Sequence, residues 1–286
     1  MACRVDSKVA IVTGGGQGLG RAYALALAAA GAAVVVNDVG AALNGTVEPG
    51  AGPGAVVQEI RARGGRALGI VESVADPRAV QRLMQEAVAA FGRVDVLVNN
   101  AGIVRSRPVM EMSDADFDAV IDVHLRGTFL CTRDALRLMH AAGRGGRIIN
   151  VTSGAAFATP YPGTANYAAA KGGIISFTRV VAAEAQDLGV TCNAIAPLAR
   201  TRMSRQHLAD DTDPSLEPET VAPLVVFLAS DAAAAITGQV FRVARGEIAV
   251  VRSTIGAPVR AKGERWTADE IAARIGEICG TSSSSA

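Results

Sequence analysis

The sequence predicts an α/β protein built on a doubly wound parallel sheet. Three observations predict it. Short β-branched runs alternate with longer Ala/Leu-rich stretches of helical period along most of the 286 residues. Some runs, such as Ala33-Val-Val-Val36, are apolar at every position, as strands covered on both faces must be. A glycine-rich turn separates the first such run from the first helical stretch.

The elements follow in order. Residues 9–13 read as a strand, 19–30 as a helix and 33–37 as the second strand. The segment 40–54 holds five glycines and two prolines and reads as a surface loop. A helix over 56–63 and a strand over 67–71 come next. The helix over 77–91 starts with Asp76 as its cap and Pro77 at its first position, where the missing N–H costs nothing. The fourth strand is 94–98. Residues 114–141 carry one long helical pattern, divisible into two helices. A strand over 147–151, a helix over 165–187, a strand over 191–195, a helix over 219–228 and a last strand over 240–243 complete the pattern. Residues 204–218 are polar and acidic. Residues 257–280 add a helix, and the serine-rich end reads as disordered. The expected division is a sheet domain over 1–250 and an extension over 251–286, with no internal repeat.

Composition narrows the function. Half of the residues are apolar, enough for a substantial core, and the net charge is +1 with acids and bases mixed. This argues against a nucleic-acid or anionic-membrane partner. The longest uncharged apolar run, 22–36, is interrupted by Gly31 and too short to span a bilayer. The N-terminus has no signal-peptide core, and Cys3, Cys131, Cys192 and Cys279 form no C-x-x-C pair. A cytoplasmic protein with free thiols is expected. His124, His140 and His207 lack metal-ligand spacing, so no metal site is expected.

Gly14, Gly18 and Gly20 are spaced G-x3-G-x-G between a strand and a helix, with Gln17 and Leu19 inside the turn. Such a turn lets a pyrophosphate approach the backbone and the helix N-terminus. The plain alternative is a tight strand–helix connection. Asp38 ends the second strand 18 residues after Gly20. A carboxylate there accepts from ribose hydroxyls and repels a 2′-phosphate, which favours NAD over NADP. Arg21 pulls the other way, and a solvated strand-end acid is the plain alternative. Asn99-Asn100-Ala101-Gly102 ends the fourth strand with small residues that suit the adenosine side of a cofactor, or simply a turn.

The chain has three tyrosines and three lysines, Lys8, Lys171 and Lys262. Tyr167 and Lys171 nevertheless stand four apart on one helix, so they share a face. Arginine is the common base here, yet position 171 is lysine. Its compact ammonium is expected to lower a neighbouring phenol's pKa toward neutral pH for acid–base work. Ser153, after the fifth strand, can polarise a substrate oxygen. Alone, it would more simply cap the strand end.

These motifs resemble the short-chain dehydrogenase/reductase superfamily over residues 8–247. The resemblance implies a Rossmann-type, seven-stranded doubly wound sheet. It implies that Tyr167 is the acid–base group, that Ser153 positions the substrate oxygen, and that Lys171 holds the nicotinamide ribose as well as tuning Tyr167. It also places Ser73 and Val74 at the adenine, Asn100, Ala101 and Gly102 along the adenosine, and Pro197 and Thr201 near the nicotinamide carboxamide.

A closer similarity is to the (3R)-hydroxyacyl-CoA dehydrogenase domains of peroxisomal multifunctional enzymes of type 2, also called 17β-hydroxysteroid dehydrogenase type 4. It is carried by Val36-Asn-Asp-Val-Gly40 with its long loop, His124-Leu-Arg-Gly127, the stretch from Ile195 to Met203 and the stretch from Pro218 to Val225. That resemblance implies NAD and a 3-hydroxyacyl-CoA of fatty or steroid origin.

The sequence departs from the superfamily pattern at several places. His124 stands where Asn is usual, either in the proton relay or as a histidine satisfied by backbone. Ser153 lies one residue farther from Tyr167 than usual, with Thr152 as the fallback. The usual Pro-Gly after the sixth strand is Pro197-Leu198. Arg105, Arg107, Arg200, Arg202 and Arg205 are candidates for CoA phosphates or ordinary loop arginines. The long helices over 116–141 and 165–187 imply, by resemblance, a homodimer or homotetramer. The competing functions are a free hydroxysteroid or alcohol dehydrogenase, a 3-oxoacyl-carrier-protein reductase, and a non-catalytic dinucleotide sensor.

Overall fold

The strands that read as fully apolar are fully buried. In the computed structural model, β1 (Val9–Thr13) and β2 (Ala33–Asn37) are buried at every residue. The structure describes residues 3–48, 50–158, 161–204 and 212–280. Arg205, His207 and the serine-rich end fall outside them.

The chain continues through α1 (Gly18–Ala29), α2 (Gly54–Ala62), β3 (Arg66–Ile70), α3 (Pro77–Phe91), β4 (Val96–Asn99), α4 (Asp114–Ile121) and α5 (Gly127–Ala142). Then come β5 (Gly146–Val151), α6 (Ala165–Glu184), β6 (Val190–Leu198), α7 (Ala222–Ala229), β7 (Val240–Ala244), β8 (Glu247–Val250) and α8 (Ala268–Ile278). The sheet order is β3-β2-β1-β4-β5-β6-β7-β8. Every pairing up to β7 is parallel. The order reverses between β1 and β4, the switch point where an α/β sheet opens a crevice at its strand ends. One apolar cluster joins α1, α2 and α7 to one face, and another joins α3, α5 and α6 to the other. The chain divides into two units, residues 1–251 and 252–286, and α8 belongs to the second.

The sheet has eight strands where seven were expected. β8 is antiparallel to β7, joined to it by Arg245-Gly246 with both φ positive, at 50° and 77°. That is a two-residue hairpin turn of the primed kind. Its sequence signal is faint because Arg replaces the usual Asn or Asp, and β8 is exposed at all four residues, so no burial pattern marks it. The long pattern over 114–141 is one helical run interrupted by a π-helical turn, Asp122–Arg126. The expected cap of α3 is present: Asp76 accepts from the Arg78 N–H at 2.8 Å.

Candidate active site

A cavity of about 590 Å³ opens at the carboxyl ends of β1, β2, β4, β5 and β6. It brings together the residues the sequence put forward for catalysis and for the dinucleotide: Gly14, Gln17, Gly18, Leu19, Gly20, Asp38, Ser73, Val74, Asn100, Ala101, Gly102, His124, Ser153, Tyr167, Lys171, Pro197 and Thr201.

At one end lies the glycine turn. Gly14 has φ +62°, and a Cβ there would meet the Ala101 Cα at 2.8 Å. Asn100 clamps the turn: its Nδ2 donates to the Thr13 and Gly14 carbonyls, both at 3.0 Å. The start of α1 has no side-chain cap, so backbone N–H groups there face the cavity end without a protein side chain to satisfy them. An uncapped helix start at a glycine turn fits the pyrophosphate of a dinucleotide. Asp38 sits behind the turn. Its Oδ2 accepts from the Gly16 N–H and its Oδ1 from the Gly40 N–H, each at 2.8 Å. Arg21, the residue that spoke for a 2′-phosphate, is engaged elsewhere, 2.7 Å from Glu59 and 3.5 Å from Glu219.

At the other end, Asn166 fixes the start of α6. Its Nδ2 donates to the Arg105 and Asp116 carbonyls at 3.0 and 3.1 Å, and its Oδ1 accepts from the Tyr167 N–H. Lys171, one turn on and buried, donates from Nζ to the Val151 carbonyl at 2.6 Å, with Nζ 5.7 Å from the centre of the Tyr167 ring. Among the described residues it makes no ion pair. Loss of solvation therefore pushes its ammonium down to about 7.

Ser153 and Tyr167 both line the cavity. The Ser153 side chain neighbours the Tyr167 phenol, and its Oγ accepts from the Ala155 N–H at 3.2 Å. Thr152, the fallback residue, is buried and donates to the Lys171 carbonyl at 2.7 Å, so its hydroxyl is engaged with the lysine backbone. One expectation is corrected here. The phenol of Tyr167 lies above its ordinary value: burial raises it, the Ser153 hydrogen bond lowers it, and neighbouring Tyr161 raises it further. The lysine does not dominate, because its own burial removes much of its charge near neutral pH.

His124 lies on the π-helical turn, buried, its ring edge-on to Tyr167 with centres 5.2 Å apart. Its Nε2 is 2.8 Å from the Ile103 carbonyl and 3.0 Å from the Ile103 N–H, while Nδ1 is buried with no partner among the described residues. Of the two readings of this histidine, the backbone contact is present at Nε2. Gly102 makes the placement possible, since a Cβ there would sit 2.3 Å from His124 Cε1. Burial, with Lys171 nearby, pushes the imidazole down to about 3, so it stays neutral.

Sequence reasoning missed the role of the 40–54 segment, which is more than a surface loop. Ala41, Leu43 and Val47 line the cavity. The Leu43 carbonyl accepts from Val104 N–H at 2.7 Å, and Arg105 Nε donates to the Asn44 carbonyl at 2.8 Å. The alternation Ala41-x-Leu43-x3-Val47 inside a glycine-rich stretch was the available signal. Of the arginines put forward for CoA, Arg200 is held by Glu217 at 2.5 Å. Arg105 donates to two carbonyls and lies 3.6 Å from Asp116. Arg107 and Arg202 remain exposed, and Arg202 lines the cavity. Among the described residues no His/Cys/Asp/Glu group suits a metal ion, and no helix is long and apolar enough to cross a membrane.

Residues 8–212 match the family model of the short chain dehydrogenases. The chain belongs to the short-chain dehydrogenase/reductase family. It is 40% identical over 284 residues to the mouse peroxisomal multifunctional enzyme type 2; the match takes in 99% of this chain but only 38% of that enzyme's length. It is 40% identical to hydroxyacyl-CoA dehydrogenase ChsB1 of Mycobacterium tuberculosis, covering 95% of this chain and 88% of that one. It is 43% identical to a 3-oxoacyl-[acyl-carrier-protein] reductase of Synechocystis, covering 85% and 98%. A crystal structure of a short chain dehydrogenase from Mycobacterium avium superimposes with a TM-score of 0.86 at 46% identity, covering 97% of this chain and 96% of that one.

Proposed function

We propose that the chain is an NAD-dependent dehydrogenase that interconverts the secondary alcohol and ketone of a 3-hydroxyacyl-CoA, with an acyl chain of fatty or steroid origin. The observation that carries the reading is the convergence of Ser153, Tyr167 and Lys171 in a cavity whose far end holds the glycine turn and Asp38. When bound, the oxidised dinucleotide supplies the hydride acceptor.

The protein's own groups do the rest. Ser153 and Tyr167 hold the substrate hydroxyl between them. The Tyr167 oxygen takes the hydroxyl proton in oxidation and returns it in reduction. Lys171, held by Val151 and poised near neutral pH, passes that proton toward a water at His124 Nδ1. Gly14, Gln17, Gly18, Leu19 and Gly20 cradle the pyrophosphate, and Asp38 takes the adenosine ribose. Ser73 and Val74 face the adenine, Asn100, Ala101 and Gly102 flank the adenosine, and Pro197 and Thr201 approach the carboxamide. The engagement of Arg21 by two glutamates supports NAD over NADP. The CoA assignment is supported by the relatives whose names carry hydroxyacyl-CoA and by exposed Arg107 and Arg202. Exposed Phe129 and Val180, on α5 and α6, support a homodimer or homotetramer assembled through those helices.

A second reading, reduction of a 3-oxoacyl group on acyl-carrier protein, is favoured by the nearly full-length Synechocystis match. Absorbance at the reduced-nicotinamide band separates the two. The expected result is fastest turnover with NAD and a 3-hydroxyacyl-CoA. Faster turnover with NADPH and a carrier-protein thioester overturns the first reading in favour of the second. Faster turnover with a free hydroxysteroid overturns the CoA assignment.

A further inference from the structure

The first turn of α6 is held by a residue that does not itself line the cavity. A helix leaves its first N–H groups without intrahelical partners, and the Tyr167 N–H is one of them. Thr164, at the cap position, supplies no side-chain hydrogen bond. Asn166 does so instead: its Oδ1 accepts from the Tyr167 N–H at 2.8 Å. Its Nδ2 donates to two carbonyls outside the helix, those of Arg105 at 3.0 Å and Asp116 at 3.1 Å. The residue is 1% exposed. These three bonds need one acceptor and two donors on a single group, and a short side-chain amide offers that set.

The stretch that Asn166 grips is part of the cavity. Ile103, Val104 and Arg105 line it, and Arg105 braces the start of α4 by donating from Nη1 to the Ala115 carbonyl at 3.2 Å. A second bond joins the same two stretches ahead of the helix, from the Arg107 N–H to the Gly163 carbonyl at 2.9 Å. That bond brings the segments together, and Asn166 fastens them at Tyr167 itself. The phenol must meet the substrate oxygen at hydrogen-bond distance, and a displacement of about 1 Å can cost on the order of 10²-fold in rate. We propose that Asn166 is a positioning residue for the proton transfer: it ties Tyr167 to the cavity wall formed by residues 103–116, and so sets where the phenol stands. The inference rests on Tyr167 being the acid–base group.

The test is a double-mutant cycle of Asn166→Ala and Tyr167→Phe. It is read as kcat with NAD and the alcohol the parent oxidises fastest, per site counted by calorimetric titration with NAD. Asn166→Ala is expected to lower kcat at least about tenfold and to leave the affinity for NAD unchanged. Because it acts through the phenol, the same substitution should cost less than about twofold in the Tyr167→Phe background. A residue that merely supports the fold slows both backgrounds by the same factor, and that outcome overturns the proposal. So does parental kcat in Asn166→Ala, or NAD binding that weakens in step with kcat. Asn166→Asp covers the case in which the alanine variant does not fold. It keeps an acceptor for the Tyr167 N–H but cannot donate to both carbonyls, so it is expected to slow as alanine does, and parental kcat there overturns the tie to the wall. Near-parental turnover of Tyr167→Phe alone overturns the acid–base reading instead, which keeps the two failures apart.

Discussion

Two lysines at opposite ends of the sheet are handled in opposite ways. Lys8 precedes β1 in a polar hollow of about 250 Å³ at the amino ends of the strands, where Arg93, Arg147, Asp95 and Asp231 also gather. Its Nζ is 2.6 Å from Asp231, Arg147 is 3.5 Å from the same carboxylate, and Arg93 is paired with Asp95. Lys171, at the carboxyl ends, is more deeply buried and has only a backbone carbonyl. Matched charges in a half-open hollow are a structural solution. A buried amine with no acid beside it costs stability, and such groups cluster at sites where a proton is used. The contrast supports, without reference to any relative, the proposal that the carboxyl end is the working end of the sheet.

The sharpest way to break this comparison is Tyr167→Phe. Removing the hydroxyl that Lys171 serves is expected to lower kcat/KM by about 10²–10⁴-fold while NAD still binds, as measured by initial rates and calorimetry. Near-parental turnover would remove the acid–base role from this end altogether.

The lysines themselves come next. Lys171→Met is expected to cost about 10²–10³-fold in turnover and to leave the melting temperature of the unliganded protein unchanged or higher, because an unpaired buried amine is replaced by an apolar chain. Lys8→Met should leave turnover unchanged and cost under about 1 kcal/mol, since its partner Asp231 is largely exposed and water already screens the pair. Comparable activity losses in the two variants would dissolve the distinction.

The pH dependence of stability sharpens it further. The Lys171 ammonium falls from 10.5 in the unfolded chain to about 7 in the folded one. Between those values the unfolded state binds the extra proton, so raising the pH favours the folded state by up to about 1.4 kcal/mol per pH unit from this group. Below about pH 7 both states are protonated and the full penalty of the buried charge is present. Tyr167 acts with the opposite sign above pH 10, where the folded chain keeps a proton the unfolded chain loses. Buried Cys131 and Cys192, raised from 9.0 to about 12, act with that same opposite sign above about pH 9, so the clean window is pH 7–9. Denaturant titrations should show stability rising there in the parent relative to Lys171→Met, and parallel curves would refute the shift.

Most of the fold was legible because burial leaves a local mark. β2 reads Ala-Val-Val-Val in the sequence because it is covered on both faces, and α3 announces itself by Asp76 and Pro77. The Tyr167–Lys171 pair was legible because helical spacing alone puts the two on one face. Features defined by tertiary surroundings were not. The π-helical turn at Asp122–Arg126 leaves no break in a helical hydrophobic pattern. β8 has no buried face to give it a period. The Tyr167 phenol was expected to fall beside a cation and instead lies above its ordinary value, because sequence shows the neighbour but not how much water both have lost.

His124 gives the smallest effect and the finest test of the working end. With its imidazole at about 3, it carries no proton charge in any ordinary assay. Its contribution comes from the Ile103 backbone contact, the edge-on contact with the Tyr167 ring and the unpartnered Nδ1. Asparagine offers a neutral donor and acceptor in its place, so His124→Asn should keep turnover within about tenfold of the parent, the scale of one or two ordinary hydrogen bonds. His124→Leu, which supplies neither, should fall below it. The acid limb of the turnover–pH profile discriminates a neutral positioner from a proton carrier. It should have the same midpoint in the parent and in His124→Asn, since Lys171 titrates in both. If that limb disappears with the histidine, His124 itself gains charge during turnover and is a proton carrier, not a neutral positioner.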